Sequence, residues 1–419
     1  MKTSNAAAGM GATVAPKGNL VAPSELGIMV GFPPPKDKQV TRDSILTPAH
    51  LRWRNLNQSK MVRTARVSRG EGPIIPLPRG PELDVDGLTV QHPQLGPVAM
   101  QDMYESSGVD ALLVLHRGKI VFERYFGDMT AVTQHVLFSA TKSFVGLLVE
   151  WLVSEGKIDR DAPAGTYVPE LAGTAIGAAT VQQLQDMEAN YDFPAFPPRV
   201  PGQIQRGYLA ALGFLDPGAN YSGPVGVYDV LVSNRPTVPH GGAFRYDNGS
   251  TDTLGWILRR VSGQSVENLI STRLWSRLGV EQDASMGLDI SGTEWAAGGL
   301  ALCLRDFARF GELVRNDGLY NGTRIVPAEV IREIRKGGNK QAFAKASLVM
   351  AGGSYHNQWW FYHDEFESFG CRGHYGQRIW IAPGAETVIA QFSTDPAASH
   401  EKEPFRLAAW QSIVRALRP

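Results

Sequence analysis

Ser139-Ala140-Thr141-Lys142-Ser143-Phe144-Val145-Gly146-Leu147-Leu148-Val149-Glu150-Trp151-Leu152 places a lysine three residues after a serine, where a long apolar helix begins. Residues three apart share one helix face, about a turn from each other. The lysine amine can then take the hydroxyl proton that serine does not release unaided. By itself the tetrapeptide carries little weight. With 25 Ser and 12 Lys in 419 residues, about 0.7 such matches arise by chance, and Ser154-Glu155-Gly156-Lys157, at the end of the same apolar stretch, is another. Context separates the two. Apolar positions 144, 147, 148, 151 and 152 recur at helical spacing, so the helix buries the stripe beside its first turn. A serine there has neighbouring backbone N–H groups without intrahelical partners, which suit a developing oxyanion. Ser154 sits where the same helix ends, with Gly156 as its stop signal. Ser139 is therefore the nucleophile candidate.

The remaining composition narrows the function classes. Forty-one basic residues balance 41 acidic ones with no basic block, which argues against a nucleic-acid partner. Two cysteines, Cys303 and Cys371, do not make a disulfide framework and suit a reducing compartment. The N-terminus lacks a compact apolar segment of signal-peptide type. The longest apolar run, 144–153, is interrupted by Glu150 and falls short of a membrane span. A cytoplasmic protein with no membrane partner is expected. Oligomeric state is left open between monomer and homodimer.

Along the chain, residues 1–90 are rich in Pro, Gly and basic residues without sustained periodicity, and read as an arm wrapping the body, disordered at its start. Residues 111–125 read as a β-hairpin turning at Gly118. From about 171 to 290, short helical patterns such as 181–187 and 253–261 alternate with Pro- and Gly-rich loops. Gly298-Gly299-Leu300 reads as the opening of an amphipathic helix through Arg305–Arg315. Residues 378–381 and 387–392 read as neighbouring strands around Pro383-Gly384, and a helix from about 405 to 417 closes the chain. Strands at both ends and helices between them predict an α/β domain from 91–170 and 291–419, with a helical domain, 171–290, inserted.

Two further stretches carry chemistry. Tyr246-Asp247-Asn248 follows the flexible Gly241-Gly242 and precedes a helix beginning near Thr251. A tyrosine facing the nucleophile can relay a proton to a leaving group, and an asparagine two residues on can bond both a substrate carbonyl and the lysine. Cys371-Arg372-Gly373-His374-Tyr375-Gly376-Gln377 precedes a strand, and its glycines let backbone approach a ligand closely. Taken singly, the tripeptide is better explained as a surface tyrosine with an asparagine turn, and a bulged edge strand is a reasonable reading of the other piece. No G-x-S-x-G elbow, P-loop, dinucleotide fingerprint or H-E-x-x-H is present, and His356 with His363 lacks a third ligand at metal spacing. Trp359-Trp360-Phe361-Tyr362 suits a cleft wall or a packed sheet, and Cys371 a small strand residue rather than a nucleophile.

In this order the three pieces resemble the serine-reactive penicillin-recognising family: class C β-lactamases, DD-peptidases and related esterases and amidases, with Ser-x-x-Lys, Tyr-x-Asn and a Lys-Thr-Gly-like strand. Phe244-Arg245-Tyr246 with Thr251-Asp252, Gly298-Gly299-Leu300 with Arg305-Asp306, Gln358-Trp359-Trp360 and Gly376-Gln377 make the sequence most similar to its 6-aminohexanoate-dimer hydrolases, over roughly residues 45–419. The resemblance implies an α+β fold of β-lactamase/DD-peptidase type, an antiparallel sheet flanked by helices with an inserted, mostly helical domain. It implies Ser139 as nucleophile, Lys142 as base and Tyr246 as proton relay, with Asn248, His374 and Tyr375 on the oxyanion and substrate side. The hole itself would be the backbone N–H groups of Ser139 and His374. No cofactor and no metal are implied.

Three departures bear on the substrate. Cys371-Arg372-Gly373 stands where β-lactamases place Lys-Thr-Gly, so the usual ammonium is missing; Arg372 could substitute for it, unless, as the middle residue of the triplet, it points to the wrong face of the strand. Ala297 stands where the nylon-dimer hydrolases carry Asn. Their helical-domain tyrosine and aspartate have no clear counterparts between Phe193 and Tyr208. The expected activity is a serine hydrolase cleaving linear amides or esters through an acyl-enzyme. The alternatives are a carboxylesterase, or a β-lactamase or DD-peptidase; a non-catalytic binding protein would be expected to have lost one of the three reactive residues.

Overall fold

The computed structural model describes residues 20–193, 206–345, 350–396 and 402–418. The start of the N-terminal arm, expected to be disordered, and the stretch 194–205 lie outside the described residues.

Within the arm the structure places regular elements that periodicity did not reveal, including the helix Pro48–Leu56 and the strand Thr64–Val67, β1. Both are too short for a repeat to register, and both are held by distant partners. Arg52 of the short helix pairs with buried Asp110 at 2.6 Å, and Asn55 donates to Thr394 at 3.0 Å. The hairpin Val109–His116 (β2) and Lys119–Tyr125 (β3) turns at Arg117-Gly118, both with positive φ, as a tight hairpin needs. A two-residue strand, His135–Val136 (β4), leads into the helix Thr141–Ser154 (α1).

The helix expected near Thr251 begins earlier, at Asn248, and runs to Ser262 (α2), because the Asp247 carboxylate caps the Gly249 N–H. Ala284–Gly287 (β5) follows. Gly298-Gly299-Leu300 does not open a helix: Leu300–Leu302 is a strand, β6, pairing with β5 and β4, and the helix Leu304–Arg315 (α3) starts after it. The run is entirely buried between two strands, so pairing wins over the helical pattern. Ser354–His356 (β7), Trp359–Phe361 (β8), Phe369–Gly373 (β9), Gln377–Ala382 (β10), Thr387–Ser393 (β11) and the helix Glu403–Leu417 (α4) complete the frame.

Seven strands form one antiparallel sheet in the order β7-β8-β9-β10-β11-β2-β3, so the first hairpin docks beside the last strand of the chain. Its two faces are both covered, which is why β2, β10 and β11 are buried almost from end to end rather than on alternate residues. One face packs Leu113, Cys371, Ile379 and Ala390 with α1 and α3, where Phe144 stacks on Phe310 at 3.7 Å. The other packs Leu112, Trp380 and Ile389 against Trp410 of α4. Each fully buried leucine, isoleucine or phenylalanine among them contributes about 1.5–3 kcal/mol of transfer free energy. A second sheet, β1-β5-β6-β4, runs into Ser139, and its Leu300 carbonyl accepts from the Leu137 N–H. Among the described residues no helix is long and apolar enough to cross a membrane.

Candidate active site

Ser139 sits in a single 3₁₀ turn, Phe138–Ala140, immediately before α1. Phe138 has φ +48, in the left-handed region that a bulky residue adopts only when its surroundings impose it. Those surroundings are aromatic and cationic. Phe138 meets Tyr375 and His374 edge to face at 5.1 and 6.3 Å, and the Arg54 guanidinium covers its ring at 4.6 Å. Tyr375 is itself left-handed, at φ +61. The serine is thus presented on a strained elbow, clamped from the arm on one side and from the β9–β10 turn on the other.

Gly373 is why that turn comes so close. A Cβ there would fall 2.0 Å from the Leu137 carbonyl oxygen and 2.8 Å from the Gln377 Cβ. Its φ of −115° is ordinary, so the demand is for space alone. Gly373→Ala is expected to push the His374 turn away from Ser139, costing about 1–3 kcal/mol of stability through overpacking and more than about 100-fold in activity through misplacement. Thermal denaturation alongside ester hydrolysis checks both.

Lys142 is 1% exposed and its Nζ has three oxygen neighbours: Ser139 Oγ at 3.2 Å, Asn248 Oδ1 at 2.8 Å and the Ala297 carbonyl at 2.6 Å. A protonated lysine donates to all three. A neutral amine has two N–H groups and one lone pair, and Asn248 Oδ1 and the Ala297 carbonyl only accept. The lone pair is therefore left for the serine hydroxyl. Burial draws the Lys142 ammonium down to about 7, against a smaller opposing effect of the Asp252 charge.

Tyr246 lies on the approach to α2. Its ring is 5.3 Å from Lys142 Nζ, and its hydroxyl is hydrogen-bonded with Ser139. Burial raises its phenol above the ordinary range, so it stays protonated at neutral pH. Behind it Trp360, Tyr355 and Phe244 make an aromatic wall at 5.5, 6.2 and 6.2 Å. The Trp359–Phe361 strand thus alternates: Trp359 and Phe361 enter the core while Trp360 faces Tyr246.

All six residues expected from the sequence are located: Ser139, Lys142, Tyr246 and Asn248 converge, and the His374–Tyr375 turn borders Ser139. Arg372 does point away from Cys371: it approaches Glu403 of α4 at 3.4 Å and stacks over Trp360 at 4.7 Å. Cys371 is buried against α1, and burial raises its thiol to about 12, leaving it inert. Two contributors named from the sequence had no role assigned to them there. Ala297 acts through its peptide group, which no side-chain pattern reveals. Gln358, in the left-handed β7–β8 turn, accepts from Thr251 at 2.8 Å, donates to Leu184 and Gln185, and takes Ser143 on its carbonyl, tying α1 to α2.

A two-face-covered antiparallel sheet flanked by helices, with the serine elbow, the buried lysine and the tyrosine meeting at the end of β9, is an α+β fold of the β-lactamase and penicillin-binding-protein type. The β-lactamase family profile matches residues 100–409, and the chain belongs to that family as a hydrolase. It is 30% identical over 364 residues to the 6-aminohexanoate-dimer hydrolase of Paenarthrobacter ureafaciens, covering 86% of this chain and 90% of that one. A solved structure from Bacillus anthracis, assigned as a 6-aminohexanoate-dimer hydrolase, superposes with a TM-score of 0.85 at 33% identity, over 91% of this chain and 98% of that one. The octameric penicillin-binding protein homologue of Pyrococcus abyssi shares the fold at a TM-score of 0.57 and 19% identity, over 74% and 76% of the two chains.

Proposed function

We propose that the protein is a serine hydrolase that cleaves linear amide or ester bonds through an acyl-enzyme, with Ser139 as nucleophile, Lys142 as base and Tyr246 as proton relay. The observation that carries this reading is the lysine's surroundings: two of its three neighbours only accept, so the neutral amine presents its lone pair to Ser139 Oγ. Lys142 takes the hydroxyl proton as Oγ attacks the substrate carbonyl. The oxyanion develops beside the backbone N–H groups of Ser139 and His374, with Asn248 and the His374–Tyr375 turn on the substrate side. Collapse breaks the C–N or C–O bond, Tyr246 protonates the departing group, and the proton on Lys142 restores the tyrosine. Water then releases the acyl group by the same steps in reverse. No cofactor is required.

The relatives from Paenarthrobacter ureafaciens and Bacillus anthracis, both named as 6-aminohexanoate-dimer hydrolases, support a linear amide as the substrate class. Cys371 favours that class over β-lactams. A β-lactam carries its carboxylate on the carbon bonded to the scissile nitrogen, where it needs a fixed cation to offset its desolvation, whereas the linear dimer carries its own at the far end of the amine half. The usual lysine position holds a buried thiol here, and Arg372 is turned toward Glu403. Specificity constants for a p-nitrophenyl ester, the 6-aminohexanoate dimer and nitrocefin are expected to fall in that order. The activated ester leads because a phenolate leaves without first being protonated. A nitrocefin constant above that of the ester would overturn the reading in favour of a β-lactamase.

A further inference from the structure

Asp252 lies one turn along α2 from Asn248, on the same face, and is 2% exposed. One carboxylate oxygen accepts the Ala297 N–H at 2.9 Å; the other accepts from the Tyr208 hydroxyl, which in turn accepts from Trp295 Nε1 at 3.0 Å. The Ala297 peptide is therefore held at both ends, its N–H on Asp252 and its carbonyl on Lys142. We propose that Asp252 is a positioning residue for the catalytic base: it holds the Ala297 carbonyl on Lys142 and supplies the counter-charge that a buried ammonium needs while the serine's proton is parked there.

The inference rests on the acyl-enzyme reading above, in which Lys142 passes from amine to ammonium and back in each turnover. A buried cation without a counter-charge is costly. Of the lysine's three hydrogen-bond partners none is anionic, so Asp252 is the group that lowers that cost: burial raises its carboxyl to about 7, and the Tyr208 hydroxyl, the Lys142 charge and the Ala297 N–H favour its ionised form. The groups facing the pair are few. Tyr246 covers Lys142, Tyr208 bonds Asp252, and the Asp289 charge reaches Asp252 from the loop after β5. Arg372 and Arg378 on one face of the sheet and Cys371 on the other act on Tyr246 through space.

Asp252→Asn retains the shape, an acceptor for the Ala297 N–H, and an amide toward Tyr208, but removes the charge. The readout is the pH dependence of the second-order rate of fluorophosphonate labelling and of kcat/KM for a p-nitrophenyl ester. Without the carboxylate the ammonium is less favoured, so the acidic limb is expected to move down by about one pH unit or more, the size of one close charge partner, while the plateau rate falls. Tyr208→Phe keeps the carboxylate but removes a donor to it, weakening its charged form; the limb is expected to move the same way by less. A plateau that falls with the limb in place, in Asp252→Asn or, if that variant does not fold, in Tyr208→Phe, would overturn the proposal and leave Asp252 a purely structural acceptor. Failure of the acyl-enzyme reading has a different signature, labelling that persists in Ser139→Ala.

Discussion

Ser139→Ala is expected to abolish turnover, by a factor on the order of 10⁴ or more, and to abolish fluorophosphonate labelling, with Ser154→Ala leaving both nearly intact. The two serines head the same four-residue pattern and differ in surroundings. Ser139 is presented on the Phe138 elbow beside Lys142 and Tyr246. Ser154 closes α1, and its hydroxyl donates to the Trp151 carbonyl at 2.8 Å. A hydroxyl so engaged has no base beside it, and Lys157 instead pairs with Glu155 at 2.8 Å. Mass spectrometry of the labelled peptide, together with steady-state rates of both variants, decides the assignment. Labelling that survives in Ser139→Ala sinks it.

Lys142→Ala is expected to lose several orders of magnitude in acylation, since the serine loses the one amine within reach. The substitution also strips Asn248 Oδ1 and the Ala297 carbonyl of their shared donor. Tyr246→Phe is expected to fall less, by roughly 10²–10⁴-fold, the usual worth of a general acid–base group. An unchanged rate in Tyr246→Phe would remove the tyrosine from the chemistry. Lys142→Arg is not a rescue, because a guanidinium stays protonated throughout the working pH range. The wild-type profile follows from the same geometry. The base must be neutral to accept the proton, and burial lowers the Lys142 ammonium to about 7. Acylation is therefore expected to rise with pH through about that value, several units below the range of an exposed lysine. Pre-steady-state ester hydrolysis across pH reads the limb directly.

The chain by itself determined the main elements and pointed to the candidate residues that the proposed chemistry uses. The 144–152 stripe identifies α1, the apolar runs on either side of Gly118 identify the first hairpin, and Tyr246 with Asn248 is legible because its spacing is short. Local periodicity and local reach produce these features, so they survive without coordinates. The elements read incorrectly were those ruled by remote partners: the arm's short helix, pinned by Asp110 and Thr394, and Leu300–Leu302, whose helical pattern yields to pairing with β4 and β5. Only the tertiary structure decided how the site is tuned. The left-handed Phe138 exists because Arg54, His374 and Tyr375 enclose it from segments far apart in the chain. The orientation of Lys142 depends on a peptide carbonyl at Ala297, a backbone group that every residue type carries and no motif can encode. The fate of the carboxylate-binding position turns on which strand face Cys371 and Arg372 occupy: one is buried against α1 and the other turned to Glu403. Proton affinities follow from burial and from charges brought near by folding, which sequence distance does not measure.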